Sequence, residues 1–350
     1  MIQSVELTNF RSYTSNQFNF SPGVTLVVGP NASGKTNLLE SLYVLAATKS
    51  FRTRDPELIQ YNKDYFRIAA AVDGSEVALG YLIENGRHTK QISRNGVRQS
   101  LSAHIGTIQA TLFEPSDLEL VSSTPERRRR YLDFILCQTD SGYLKLISEY
   151  RRVLKQRNSL LGSFDTFRLK DEIFAWDVKL TELAAEVFVR RTTLLTYLNE
   201  LIPPLYRDVA GETIEIDLRY KPSVSGHDYA NLFMDELVKR LPSDLAAGFT
   251  TIGPHREDFK VMFKNNEITD IASRGETRTA VLVMKLAELS YCEERSDVRP
   301  ILLLDDVFSE LDSTRREYLT HKVGQYQTII TTTEADSLKD LAKDYDVINT

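Results

Sequence analysis

The sequence predicts an α/β fold assembled from two separated segments of chain, with a mainly helical lobe inserted between them. Three observations predict it. Residues 1–100 alternate short β-rich runs with polar turns. Residues 126–205 are rich in Leu, Arg, Glu and Lys, with apolar positions at helical spacing such as Leu180, Leu183, Ala184 and Val187. A glycine-rich loop near residue 30 then finds its complement only near residue 305, where an apolar run ends in two carboxylates. The expected boundaries are 1–122 and 245–350 for the α/β part and 123–244 for the inserted lobe.

Taken in order, residues 24–28, 68–72 and 77–83 read as strands, with Asn85-Gly86 and Asn95-Gly96 as hairpin turns. Ser123-Thr124-Pro125-Glu126 combines capping residues, a proline suited to a first helical turn and an acidic residue that favours the positive end of the helix dipole, so a helix starts there. Pro203-Pro204 is expected to stop the helical region. A strand over 213–220, a loop over 222–226 and a helix over 229–241 follow.

Composition narrows the class. With 42% hydrophobic and 26% charged residues the chain is ordinary for a globular protein. A net charge of −6 excludes a uniformly basic protein that coats nucleic acid, because such binding depends on Lys and Arg neutralising phosphates. Any such contact must be local, and the consecutive Arg127, Arg128, Arg129 and Arg130 are the densest patch, followed by Arg151-Arg152 and Arg190-Arg191. Cys137 and Cys292 stand far apart and read as two reduced, packed thiols rather than a disulfide or zinc site. Residues 1–7 lack the pattern of a signal peptide and no apolar run could span a bilayer, so a cytoplasmic protein without a membrane partner is expected.

Gly29-Pro30-Asn31-Ala32-Ser33-Gly34-Lys35-Thr36 is a full G-x-x-x-x-G-K-T, between an apolar strand and the helical residues 37–47. Glycines let the backbone wrap closely around phosphate, and the loop amides with the helix N-terminus present partial positive charge to the anion. The pattern assigns nucleotide binding to this stretch through Asn37, with Lys35 on the β- and γ-phosphates and the Thr36 hydroxyl on Mg²⁺. The loop alone does not separate kinases, GTPases, transporter subunits and DNA-repair ATPases.

In the second half, residues 300–304 form a buried-strand run that leads into Asp305 and Asp306. Asp305, at the strand's C-terminal end, is the expected Mg²⁺ partner, and Asp306 the base that orients the attacking water. The catalytic set is thus Lys35, Asp305 and Asp306. Ser309-Glu310-Leu311-Asp312 follows directly. Upstream, Ser273-Arg274-Gly275-Glu276-Thr277-Arg278 leads into a long apolar helix over 279–291, and Ser273 reads equally well as a plain helix cap.

Together these motifs resemble the ABC-type P-loop ATPases, with a D-loop at 309–312 and a degenerate Ser-Gly-Gly-Gln signature at Ser273, Arg274, Gly275 and Glu276. The resemblance implies an ABC-type head, interrupted by the helical lobe, in which the signature grips the γ-phosphate of ATP held by a second subunit, so that ATP drives a homodimer. Three further stretches are similar to the RecF family of bacterial DNA-repair ATPases: Leu7-Thr8-Asn9-Phe10-Arg11-Ser12-Tyr13, residues 113–118 before 125–133, and Thr251-Ile252-Gly253-Pro254-His255-Arg256-Glu257-Asp258. This likeness runs from end to end. It implies dimerisation on gapped or junction duplex DNA, slow DNA-stimulated hydrolysis, and work with RecR and RecO in loading RecA. By the same resemblance Arg11 contacts nucleotide, and His255 and Arg256 face the site from the Gly253-Pro254 turn; the DNA contact of Arg127 to Arg130 is read from their charge alone, with pairing to Asp117, Glu119 and Asp133 as the alternative. Glu276 departs from the signature's Gln, and Asp306 from the Glu usual in the wider group. The chain has no sustained heptads and no Cys-x-x-Cys hook, which sets it apart from the long coiled-coil relatives. A transporter-type subunit without a DNA role is the alternative; it should carry an intact Gly-Gly-Gln and a His within 328–333, where this chain has threonines.

Overall fold

The computed structural model describes residues 1–162, 169–333 and 345–350. In chain order the first elements are β1 (Ile2–Phe10), β2 (Tyr13–Asn19), β3 (Val24–Val28), α1 (Lys35–Ala47), β4 (Tyr65–Val72), β5 (Ser75–Glu84), β6 (Arg87–Arg94), β7 (Val97–Gln99), α2 (Leu101–His104) and β8 (Ala110–Phe113). Then come α3 (Glu119–Ser122), α4 (Pro125–Thr139), α5 (Ser141–Leu161), α6 (Leu169–Ala210), β9 (Ile216–Lys221), α7 (Tyr229–Ala247), β10 (Asp258–Phe263), β11 (Asn266–Glu267) and α8 (Ile268–Ile271). The chain continues through α9 (Arg274–Arg295), β12 (Ile301–Asp305), α10 (Ser313–Val323), β13 (Thr328–Thr332) and β14 (Tyr345–Asn349).

These elements form two compact units, one of residues 1–117, 208–211 and 282–350, the other of 118–207 and 212–281. Residues 245–281, expected in the α/β part, therefore belong to the second unit. The reason is local pairing. β10 lies antiparallel to β9 within a three-stranded sheet and packs on α4, so this strand is built into the lobe's own core.

In the first unit, a parallel sheet of order β14-β3-β13-β12-β8 and an antiparallel sheet of order β2-β1-β4-β5-β6-β7 share one core. The parallel strands are near-continuous hydrophobic runs, as burial on both faces requires. Helix α1 touches strands of both sheets and buries Leu38, Leu39, Leu42, Val44 and Leu45 almost completely. Each such side chain contributes about 1.5–3 kcal/mol relative to exposure. Asn85-Gly86 and Asn95-Gly96 both take left-handed φ, the geometry of type I′ hairpin turns.

In the second unit, α4 begins at Pro125 as its sequence signals indicate, although Thr124 makes no side-chain cap bond. Helix α6 does not stop at Pro203-Pro204; it continues to Ala210. Ile202, Tyr206 and Val209 are buried across the prolines, so the apolar stripe outweighs the lost backbone bonds. The buried Arg157 joins Asp177 on α6 at 2.6 Å to Asp244 on α7 at 2.8 Å, tying three helices together. Among the described residues, no helix is long and apolar enough to cross a membrane.

Candidate nucleotide-binding site

The loop between β3 and α1 leaves the sheet at the C-terminal ends of parallel strands, where ligands of α/β sheets bind. Two glycines are required there. A Cβ on Gly29 would lie 2.6 Å from Ser33 Oγ, and Gly34 takes φ 111° with Tyr13 Oη 2.8 Å from where its Cβ would stand. Tyr13 donates to the Gly34 carbonyl at 3.1 Å, and Asn37 donates to Ser12 Oγ at 3.0 Å, so the β1–β2 turn braces the loop.

Lys35 is buried, and its ammonium donates to the carbonyls of Gly29 (2.6 Å) and Pro30 (2.8 Å). It therefore spans the mouth of the loop, where an arriving phosphate can take over these bonds. Thr36 Oγ1 donates to Asp305 Oδ1 at 2.9 Å, bringing together a hydroxyl and a carboxylate that are 269 residues apart. This pair of hard oxygen ligands fits Mg²⁺, which is held by one or two protein oxygens together with substrate phosphates. Among the described residues, no group of three or more His, Cys, Asp and Glu is placed to enclose a metal.

Thr331, at the end of β13, was not singled out by its sequence. Its hydroxyl donates to Asp305 Oδ1 at 2.8 Å and accepts the Asp306 amide at 3.0 Å. Asp306 itself is exposed and takes φ 52°, a left-handed conformation uncommon for a side-chain-bearing residue. The available signal was the threonine run at 331–333 beside the second carboxylate strand.

Glu40 and Arg52 were also missed. Glu40 is fully buried on α1 and accepts from Arg11 Nε (2.9 Å) and a second Arg11 nitrogen (3.0 Å), from Arg52 (2.7 Å) and from Ser50. Burial raises its pKa, but the bonds from Arg11, Arg52 and Ser50 outweigh this and hold it below the usual carboxylate range. A Glu between leucines on an apolar helix was the clue, since such a residue is buried only when paired.

The signature residues lie in the second unit. Ser273 and Glu276 form a capping box at the start of α9: the Ser273 amide donates to Glu276 Oε2 at 2.8 Å, and the Glu276 amide to Ser273 Oγ at 3.2 Å. Ser273 and Arg274 are exposed, Gly275 and Glu276 half-buried. The hydrogen bonds from Ser273, joined by Lys264, lower the Glu276 pKa.

The arginine run does not act as one patch. Arg128 is buried and forms a bidentate pair with Asp258, 2.7 Å on each arm, so it is a structural residue and not a DNA contact. Arg129 is half-buried on the Glu257 carbonyl, Arg127 pairs with Glu119, and Arg130 is exposed beside Glu126. The expected reading fails at Arg128 because consecutive helical residues point in different directions. His255 bonds Tyr150 at 2.7 Å and the Thr250 carbonyl at 3.1 Å, while Arg256 stacks over Phe249. Both have partners inside the second unit.

The family model described as RecF/RecN/SMC N terminal domain matches residues 1–350. The DNA replication and repair protein RecF of Bacillus subtilis is 35% identical over 349 residues, covering 96% of this chain and 94% of that one. The chain belongs to the RecF family. The RecF of Agathobacter rectalis is likewise 35% identical, with 96% and 93% covered. A solved structure described as the recombination mediator protein RecF with ATP in the RecFOR pathway superposes with a TM-score of 0.87 at 32% identity, covering 95% of this chain and 92% of that one. An Smc head bound to the C-winged helix domain of ScpA matches at 0.54 and 17% identity, a likeness of fold alone. The RecF-family fold is thus the ABC-type ATPase head with a helical insert, and the solved RecF structure named above is described with ATP. Membership sets aside the transporter-type alternative.

Proposed function

We propose that this chain is an ATP-gated clamp: two heads close on gapped or junction duplex DNA when both hold ATP, and slow hydrolysis releases them. The observation that carries the reading is the 2.9 Å bond between Thr36 and Asp305, which joins the phosphate loop to the second carboxylate strand. Lys35 leaves its two carbonyls for the β- and γ-phosphates, and the loop amides hold the rest of the triphosphate. Thr36 and Asp305 would hold Mg²⁺, which would supply neutralisation of charge on the phosphate oxygens. Asp306 accepts a proton from the attacking water, and its short side chain sets a slow rate; a turnover on the order of hundreds per second would sink that point.

The signature completes the partner's site. Ser273 Oγ accepts the Glu276 amide, yet its own proton remains to be donated, so the capping box does not consume the group that would meet a γ-phosphate. Glu276, which stands where the signature has Gln, is the acceptor of that box, a role either side chain can fill. Once hydrolysis removes the γ-phosphate, the bonds that distinguish closed from open go with it. The likeness to RecF proteins extends the reading to work with RecR and RecO in loading RecA in the cytoplasm.

The test is light scattering with ATP and Mg²⁺, followed by binding to gapped duplex. Wild type should dimerise with ATP, Asp306→Asn should persist as a dimer on DNA, and Lys35→Met should stay monomeric. A chain that stays monomeric in every case, with DNA affinity indifferent to ATP, overturns the clamp.

A further inference from the structure

Arg11 is built into its place at a cost that its packing alone does not explain. Its backbone takes φ 52°, a conformation of order 1 kcal/mol or more above the usual ones for a side-chain-bearing residue. The strained turn is held by the Arg11 amide on the Leu58 carbonyl at 2.8 Å and by the guanidinium on the Glu57 carbonyl at 3.1 Å. The remaining guanidinium bonds go in bidentate fashion to Glu40, on the second turn of the phosphate-loop helix. Arg52 reaches the same carboxylate and also donates to Asn37 Oδ1 at 3.0 Å, and Asn37 in turn holds Ser12. The network therefore forms a closed ring from Arg11 through Glu40, Arg52 and Asn37 back to Ser12.

Its charge does not balance. One carboxylate, fully buried, faces two guanidinium groups whose side chains keep 22% and 35% exposure, so one positive charge is left over beside the first two turns of the phosphate-loop helix, where Arg52 also reaches Asn37. We propose that Glu40 is a positioning residue: it fixes Arg11, and with it the surplus charge of the Arg11–Arg52 pair, toward the triphosphate held by the loop. This rests on the nucleotide reading given above. Glu40 does not touch nucleotide; it acts through Arg11.

A double-mutant cycle on ATP affinity in the full chain, by titration calorimetry with Mg²⁺ and ATP, tests it. Glu40→Gln and Arg11→Ala should each weaken binding about tenfold, the scale of one charge-assisted hydrogen bond, and the double variant should also be weaker by about tenfold, not a hundredfold. Additive effects, or wild-type affinity in Glu40→Gln, overturn the proposal. Thermal melts run alongside. If Glu40→Gln does not fold, Glu40→Asp, which keeps the charge but shortens the reach by one methylene, replaces it in the cycle: non-additive losses support the proposal, and additive losses or wild-type affinity overturn it. Lys35→Met is the control on the underlying reading: if it binds ATP like wild type, the loop assignment fails, whatever the cycle gives.

Discussion

Thr331 donates to the Asp305 carboxylate and accepts the Asp306 amide, so a single hydroxyl ties the two acidic positions together. Thr331→Val keeps shape and volume but removes both bonds. Hydrolysis should fall about tenfold while ATP affinity changes by less than about twofold, and Thr331→Ser should restore the rate. Equal losses in kcat and affinity would assign Thr331 to binding instead. A second prediction concerns Arg128. Its truncation leaves Asp258 without its partner beneath α4 and should cost about 3–5 kcal/mol in urea unfolding, while Arg130→Ala at the exposed position should stay within about 0.5 kcal/mol. Protonation of His255 adds a third. Burial lowers its pKa to about 4 from 6.5, so the folded chain binds fewer protons than the unfolded one between those values. Stability contributed by the neutral ring is complete above about pH 6.5 and declines as pH falls toward 4, by about 3 kcal/mol at most. His255→Gln should flatten that limb of the stability profile; an unchanged slope would assign acid sensitivity to other groups.

At the scale of elements, the capping box at α9 is legible from spacing alone, since Ser273 and Glu276 stand three apart ahead of an apolar run. Ser273→Ala should lower stability by about 1 kcal/mol in a thermal melt, and Glu276→Gln, whose amide oxygen can still accept the Ser273 amide, by less than half as much. The phosphate loop, the carboxylate strand and the hairpin turns were equally readable, because each depends on residues adjacent in sequence: a glycine where φ must be positive, a run of aliphatic residues where both faces are buried. What could not be read was set by partners far away. Glu40 is explained only by Arg11 and Arg52, Arg128 only by Asp258, and Thr331 only by the Asp305 carboxylate and the Asp306 amide at the end of the neighbouring strand. The continuation of α6 past Pro203-Pro204 is of the same kind, since propensity stops a helix that tertiary burial then carries on. The second domain boundary moved for the same reason: the texture of residues 258–263 says strand, but not which sheet the strand joins.

For the whole molecule, a net charge of −6 means that any contact with duplex DNA must come from a local surface against a repulsive background. With Arg128 committed to the core, Arg127 and Arg130 are the members of the run whose ion pairs, with Glu119 and Glu126, lie toward the surface. Replacing both by Ala should weaken duplex binding and reduce the slope of log affinity against log salt by about 2, or about 0.9 for each phosphate no longer neutralised. An unchanged slope would place the DNA surface elsewhere. The parallel sheet carries another consequence, one of timing. Val24 on β3 pairs beside Thr328 and Tyr345, roughly 300 residues later, and β8 waits for Ile301. During synthesis at about 5–20 residues per second, β3 and α1 would emerge and then wait about 15–60 seconds for the strands that cover them. Through that interval the apolar faces of the nascent head lie open to solvent, a window in which a ribosome-associated chaperone has something to hold.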